Sequence, residues 1–153
     1  MGPPIFASKQ GEETERRFFD AARVRTRRTP SWFLGVRRAS PQFDTVGLDA
    51  LASIQRPDDP KPMSVPIQVK SSKGGKRHYY REHADAKRVK VPVLVVTKTM
   101  SPDDIRKQLY AALKPFMKVR RKHFTDYFKS LARRRLGKRG LLIKKHIKKQ
   151  RRT

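Results

Sequence analysis

The chain has 153 residues, enough for one compact domain with a core and an appendage. Its 39 Lys and Arg against 13 Asp and Glu give a formal net charge of +26, which attracts polyanions, nucleic acid first and an anionic membrane surface second. The absence of cysteine excludes disulfides and thiolate metal sites. With no apolar run able to span a bilayer and no charged-then-apolar leader, a cytoplasmic protein is expected, with association to the nucleoid a further option.

Residues 8–27 read as a helix. Ser8 can cap it, Glu12 and Glu13 suit the positive end of its dipole, and Arg23, Arg25 and Arg27 suit the negative end. At about 3.6 residues per turn, Phe18, Phe19 and Ala22 form the apolar face. Glu15 falls in the middle of that face, whereas Glu13 lies roughly opposite and Glu12 at its margin. An acid centred on a core-facing stripe is unusual.

Thr29 and Pro30 end the helix, and residues 31–37, with Trp32 and Phe33 as core candidates, have strand composition. After a turn around Pro41, residues 45–54 alternate as a second strand. Val46, Leu48, Ala50, Ala52 and Ile54 share one face, and Gly47, Asp49, Leu51 and Ser53 share the other. A proline-rich loop over 56–62 leads to a third strand, 64–70, in which Val65, Ile67 and Val69 oppose Gln68 and Lys70. A buried strand rarely spends two positions on a carboxamide and an ammonium unless each meets a partner, because unpaired burial is costly.

Residues 71–76 read as a polar glycine-bearing loop and 78–90 as a short helix. The apolar run 91–97 fits a strand covered on both faces. Ser101-Pro102-Asp103-Asp104 opens a helix that carries Ile105, Leu109, Ala112 and Leu113 to one side and meets Pro115 at its end. Beyond it, Met117, Phe124, Tyr127, Phe128 and Leu131 form a stripe among basic residues. The order predicts an α/β core, a small mixed sheet flanked by helices over residues 1–117, followed by a highly basic helical extension over 118–153, partly flexible at its end.

That extension carries 16 Lys and Arg against the single acid Asp126, more than solubility requires. Its expected role is to clamp a phosphate backbone without reading sequence. The cations assigned to nucleic acid are Lys73, Lys76 and Arg77 after the third strand, and Arg120, Arg121, Lys122, Arg133, Arg134, Arg135, Lys138, Arg139, Lys144 and Lys145 in the extension.

Glu15, Asp49, Gln68 and Lys70 form the constellation of interest. If the second and third strands are neighbours, their polar positions converge, and the first helix can bring Glu15 to the edge of the same patch. Two carboxylates and an amide oxygen make a hard-oxygen site suited to magnesium, and a lysine beside it can orient a water or stabilise charge on a phosphorane. Simpler readings exist. Glu15 can pair with Arg16, Arg37 or Arg38, and Asp49 can cap a turn or pair with Lys70 across strands. His78, Tyr79, Tyr80 and His83 can line a groove or shuttle a proton, but a surface role suits each better.

Three segments, Gly11-Glu12-Glu13-Thr14-Glu15, Val46-Gly47-Leu48-Asp49-Ala50 and Ile67-Gln68-Val69-Lys70-Ser71, together resemble the PD-(D/E)xK nuclease superfamily. The similarity is nearest to its restriction-endonuclease-like and Holliday-junction-resolvase-like branches and covers about residues 8–113. It implies a restriction-endonuclease-like core and a metal-dependent endonuclease acting on DNA, with Mg2+ or Mn2+ as cofactor. Asp49 would be the main metal ligand, Gln68 a ligand through its amide oxygen, Val69 one through its backbone carbonyl and Glu15 one directly or through water. Lys70 would position or activate the attacking water. A homodimer is also implied, because paired cuts need paired sites. Gln68 stands where many relatives carry Glu, which removes one negative charge. A non-catalytic nucleic-acid-binding protein on the same fold, associated with RNA or the ribosome, is the alternative.

Overall fold

In the computed structural model, described here for residues 5–40, 48–84 and 91–119, a four-stranded sheet is flanked by three α-helices. These residues all belong to one unit, Met1–Val119. The extension from 120 onward lies outside the described residues, and with it the stripe beyond Met117.

Helix α1 spans Ile5–Arg23, starting before Ser8 and stopping short of the predicted end at 27. Ser8 is therefore inside the helix rather than at its start. The chain leaves α1 through a turn in which the Thr26 N–H donates to Thr29 Oγ1 at 2.9 Å, an alternative to continued helix that threonine offers readily. Phe18, Phe19, Ala21 and Ala22 are buried along its inner face.

Strands β1 (Phe33–Arg38), β2 (Ala50–Ile54) and β3 (Met63–Lys70) form an antiparallel meander, and β4 (Val93–Val95) joins β3 in parallel. The order across the sheet follows the chain, β1-β2-β3-β4. A bulge separates Phe33 from Gly35, whose φ of 136° is a region L side chains rarely adopt. The predicted phase of the second strand holds. Leu48, Ala50, Ala52 and Ile54 are fully buried, while Asp49, Leu51 and Ser53 are only partly so. Residues 41–47 lie outside the described region, so the predicted start of that strand at 45 does too. Trp32 is half-buried against Tyr110, whereas Phe33 is core, so only one of the two predicted core aromatics is fully inside.

Helix α2 spans Lys73–Glu82 and begins five residues before the sequence pattern suggests, within the stretch that reads as a loop. Its start is fixed by Ser72, whose Oγ accepts the Gly75 N–H at 3.0 Å. Two glycines near the start cost helix propensity, which is why the sequence reads as a loop. Gly75 is accounted for by its surroundings: a Cβ there would meet Ser72 Oγ at 3.3 Å and Lys70 Cβ at 3.5 Å. Helix α3, Pro102–Leu113, opens as its sequence predicts, with Ser101 Oγ accepting the Asp104 N–H at 3.2 Å and Pro102 in the first turn. It buries Ile105, Leu109 and Leu113, while Ala112 stays half-exposed, and it passes into a 3-10 turn over Lys114–Met117. Among the described residues no helix is long and apolar enough to cross a membrane.

Packing between α1 and α3 sets the height of α1 over the sheet. Arg106, buried on α3, donates to the Ala21 carbonyl at 3.1 Å, and Arg17 donates to the carbonyls of Thr97 at 2.5 Å and Met100 at 2.6 Å. These bonds carry α1 to the end of the sheet where β3 and β4 terminate.

Candidate functional site

Three elements meet at the carboxyl end of β3. Glu15 comes from α1, Asp49 from the residues just before β2, and Gln68, Val69 and Lys70 from the last turn of the pleat in β3. Asp49 is outside the strand by hydrogen-bond pattern yet is tied on both sides. Its N–H donates to Ile67 O at 3.0 Å, and its carbonyl accepts from Ala39 N at 3.0 Å. Its carboxylate Oδ2 accepts the Val69 N–H at 2.8 Å. Lys70 and Gln68 are anchored through their backbones to the other side, where Val96 N donates to Lys70 O at 2.8 Å and Gln68 N donates to Pro92 O at 3.0 Å.

The N–H and C=O of one strand residue face the same neighbouring strand. The Val69 carbonyl therefore faces the Asp49 side, as its N–H does. All four predicted side chains, together with Gln10, Gly11, Thr14, Val69 and Ser71, line one cavity of about 330 Å³. Glu15 also borders an adjoining cavity of about 490 Å³ that holds Glu12, Glu13, Arg16 and Arg38.

The electrostatics of the pocket are set by its carboxylates. Burial, opposed by the Val69 N–H, raises the Asp49 carboxyl from 3.8 to about 7, with Glu15 adding to the rise and Lys70 opposing it. Glu15 lines the same cavity as Asp49. Its other neighbour is Arg38 Nη1 at 3.4 Å, one of the three arginines that the sequence offers as partners. The Arg38 guanidinium lies 4.6 Å from the centre of the Phe19 ring. Gln68 is 5 % exposed, and its Oε1 has no hydrogen-bond partner among the described residues. An orphaned buried acceptor beside two crowded carboxylates is what a hard cation satisfies. Among the described residues no three His, Asp or Glu side chains gather in metal-holding geometry. A cation here would complete its shell from the Gln68 amide, the Val69 carbonyl and water.

Lys70 does not pair with Asp49, the simple cross-strand alternative; its Nζ lies 5.5 Å from the centre of the Tyr79 ring. Tyr79 is 3 % exposed, so the surface role expected for it is wrong: α2 turns it inward once the helix starts at Lys73. Its i,i+4 spacing from Gly75 is the signal that a helix over that stretch would have revealed. His78 does sit at the surface, 3.1 Å from Glu82 one turn on. Lys73 and Arg77 are exposed on α2 and Lys76 is half-exposed. Arg120, Arg121, Lys122, Arg133, Arg134, Arg135, Lys138, Arg139, Lys144 and Lys145 lie outside the described residues. Comparison with family models, curated proteins and solved structures finds no match for the chain.

Proposed function

We propose that the chain is a magnesium-dependent endonuclease that hydrolyses DNA phosphodiester bonds on a restriction-endonuclease-like core. The observation that carries this reading is the convergence of Glu15, Asp49, Gln68 and Lys70 on one cavity, with the Gln68 oxygen buried and, among the described residues, unpartnered beside the two acids. The helix, three-strand meander, helix and parallel strand follow the element order read from the sequence, a small mixed sheet flanked by helices.

Glu15, Asp49, Gln68 and the Val69 carbonyl would hold the ion. Magnesium bound there supplies Lewis acidity toward a non-bridging phosphate oxygen and lowers the pKa of a bound water. The remaining steps belong to the chain. Asp49, fixed by the Val69 N–H, keeps its carboxylate in one orientation through turnover. Lys70 donates hydrogen bonds to the attacking water or to the phosphoryl oxygens, where negative charge grows. The water oxygen bonds to phosphorus and gives up a proton to solvent as the opposite P–O bond breaks, and the leaving alkoxide takes up a proton from solvent. Lys73, Lys76 and Arg77 hold the flanking backbone, and the cations of residues 118–153 supply affinity that falls steeply with salt. The active unit would be a homodimer wherever both strands of a duplex are cut, and the protein would work in the cytoplasm or on the nucleoid.

A catalytically silent nucleic-acid binder on the same fold is favoured by one observation, the uncharged Gln68 at a position where a third carboxylate would strengthen metal binding. Purified protein incubated with plasmid and with branched DNA, in magnesium, manganese or chelator, separates the two. Product that needs the metal and disappears in Asp49→Ala and Lys70→Ala, with DNA binding retained, supports the nuclease. Tight binding with no product in either metal supports the binder.

A further inference from the structure

Lys70 is held by α2, and the manner of holding gives two further residues a role. The Lys70 ammonium forms no ion pair among the described residues. It rests instead over the Tyr79 ring, with Nζ 5.5 Å from the centroid. The stem runs past Gly75, where an added Cβ would sit 3.5 Å from Lys70 Cβ and 3.8 Å from Cδ. Gly75 and Tyr79 are one turn apart and share a face of α2, so a bare backbone position for the stem and an aromatic face for the ammonium lie in line. The seat is fixed on several sides. Ser72 caps α2 directly after the strand, and the Tyr80 hydroxyl donates to Val91 O at 2.6 Å. The Tyr79 ring also packs against His83 at 4.7 Å and Tyr80 at 5.9 Å between ring centres.

We infer that Gly75 and Tyr79 form a seat that positions Lys70, so that Tyr79 is a positioning residue for the hydrolytic step. This rests on the nuclease reading of the same cavity. An aromatic face attracts an ammonium without neutralising it and makes no directed hydrogen bond, so the three N–H donors stay available to water and phosphate. A carboxylate in the same place would take up those donors and hold Lys70 away from the substrate. The seat also explains why the amide-and-ammonium strand end is followed at once by a helix with a glycine pair: only a close-packed α2 brings Tyr79 under Nζ.

Tyr79→Leu removes the ring face and keeps an apolar side chain, while Tyr79→Phe keeps the face. Two readouts test the seat. In proton–carbon spectra, the Lys70 Cε protons, identified by their absence in Lys70→Ala, should be shifted upfield in wild type and Tyr79→Phe and should lose that shift in Tyr79→Leu. In steady-state cleavage, Tyr79→Leu should lower kcat roughly threefold to tenfold at unchanged KM, with Tyr79→Phe close to wild type. Circular dichroism checks that each variant is folded, and Gly75→Val, which crowds the stem rather than removing the ring, serves if Tyr79→Leu is not. An unshifted Lys70 in wild type, or equal kcat in wild type, Tyr79→Leu and Gly75→Val, overturns the seat and leaves the nuclease standing. A wild-type chain that cleaves nothing in either metal overturns the nuclease reading and the positioning role with it.

Discussion

Asp49 Oδ2 accepts the backbone N–H of Val69 at 2.8 Å, so a carboxylate that precedes one strand is locked to the strand carrying Gln68 and Lys70. The bond stabilises the charged form of Asp49 but does not overcome its burial, and the carboxyl titrates at about 7. The pocket therefore favours a protonated Asp49 unless further positive charge enters it.

That cost has a sign that can be measured. With the native carboxyl raised from 3.8 to about 7, the folded chain keeps a proton that the unfolded chain has released across this window. Stability consequently falls as pH rises from about 4 to about 7 and levels off above it. Asp49→Asn cannot ionise and retains an oxygen for the Val69 N–H. In chelator, urea unfolding should find it about equal to wild type near pH 4 and more stable by roughly 1–4 kcal/mol near pH 8. A wild type that gains stability relative to the variant as pH rises would contradict the raised carboxyl.

Gln68 offers a cleaner separation of fold from function. Its amide oxygen is buried without a partner among the described residues, so replacing the side chain by leucine removes an unsatisfied group and should change the unfolding free energy by less than about 1 kcal/mol. The same substitution removes a metal donor and should weaken the magnesium-induced rise in Tm. Gln68→Glu adds a third acid next to Glu15 and Asp49, which should lower metal-free stability and raise magnesium affinity roughly tenfold by titration calorimetry. If Gln68→Leu binds magnesium as wild type does, Gln68 is not a ligand.

Much of this was legible in the sequence because it depends on phase. Glu15 is centred on the stripe of Phe18, Phe19 and Ala22 at helical spacing, and Asp49 alternates with the buried Leu48 and Ala50 at strand spacing. Both phases survive an error in element boundaries, and the first helix indeed starts three residues earlier than Ser8 suggests. The seat of Lys70 was not legible, because two glycines after Ser72 look like a loop until their neighbours are known. Gly75 is favoured by the closeness of the Lys70 stem, a tertiary reason that no propensity contains. The partner of Glu15 was likewise open among three arginines. Only the antiparallel pairing of β1 with β2, which brings Arg38 opposite Ala50 beside the Asp49 turn, selects one.

Arg106 should matter to the site from a distance. It is buried on α3 and donates to the carbonyl of Ala21, an acceptor in the last turn of α1 whose backbone partner is the Val24 N–H at a long 3.4 Å, while its other nitrogen pairs with Asp103. Arg106→Ala should cost about 2–3 kcal/mol in urea unfolding, and Arg106→Met somewhat less because the apolar stem is kept. Since α1 carries Glu15, Arg106→Met should also broaden or shift the amide resonances around Glu15. Unchanged resonances there would show that the Arg17 bonds to Thr97 and Met100 hold α1 alone.

Among the described residues, Gln108 caps the β4 edge of the sheet, and its removal is predicted to cause self-association. β4 has only three residues and pairs with β3 on one side, leaving the N–H and C=O of Val95 directed outward. Gln108 on α3 supplies both complements. Its amide nitrogen donates to Val95 O at 2.8 Å, and its oxygen accepts from Val95 N at 3.0 Å, imitating a fifth strand. Gln108→Leu keeps the bulk but leaves two backbone groups of a buried residue unpaired, a loss of about 1–3 kcal/mol. The same change opens an apolar edge, Val93-Leu94-Val95, to another chain. Light scattering during mild heating should therefore show earlier association for Gln108→Leu than for Gln108→Glu, whose charge repels a second edge even as it loses the donor. Identical onset for the two would mean that the brevity of β4, not Gln108, keeps the edge closed.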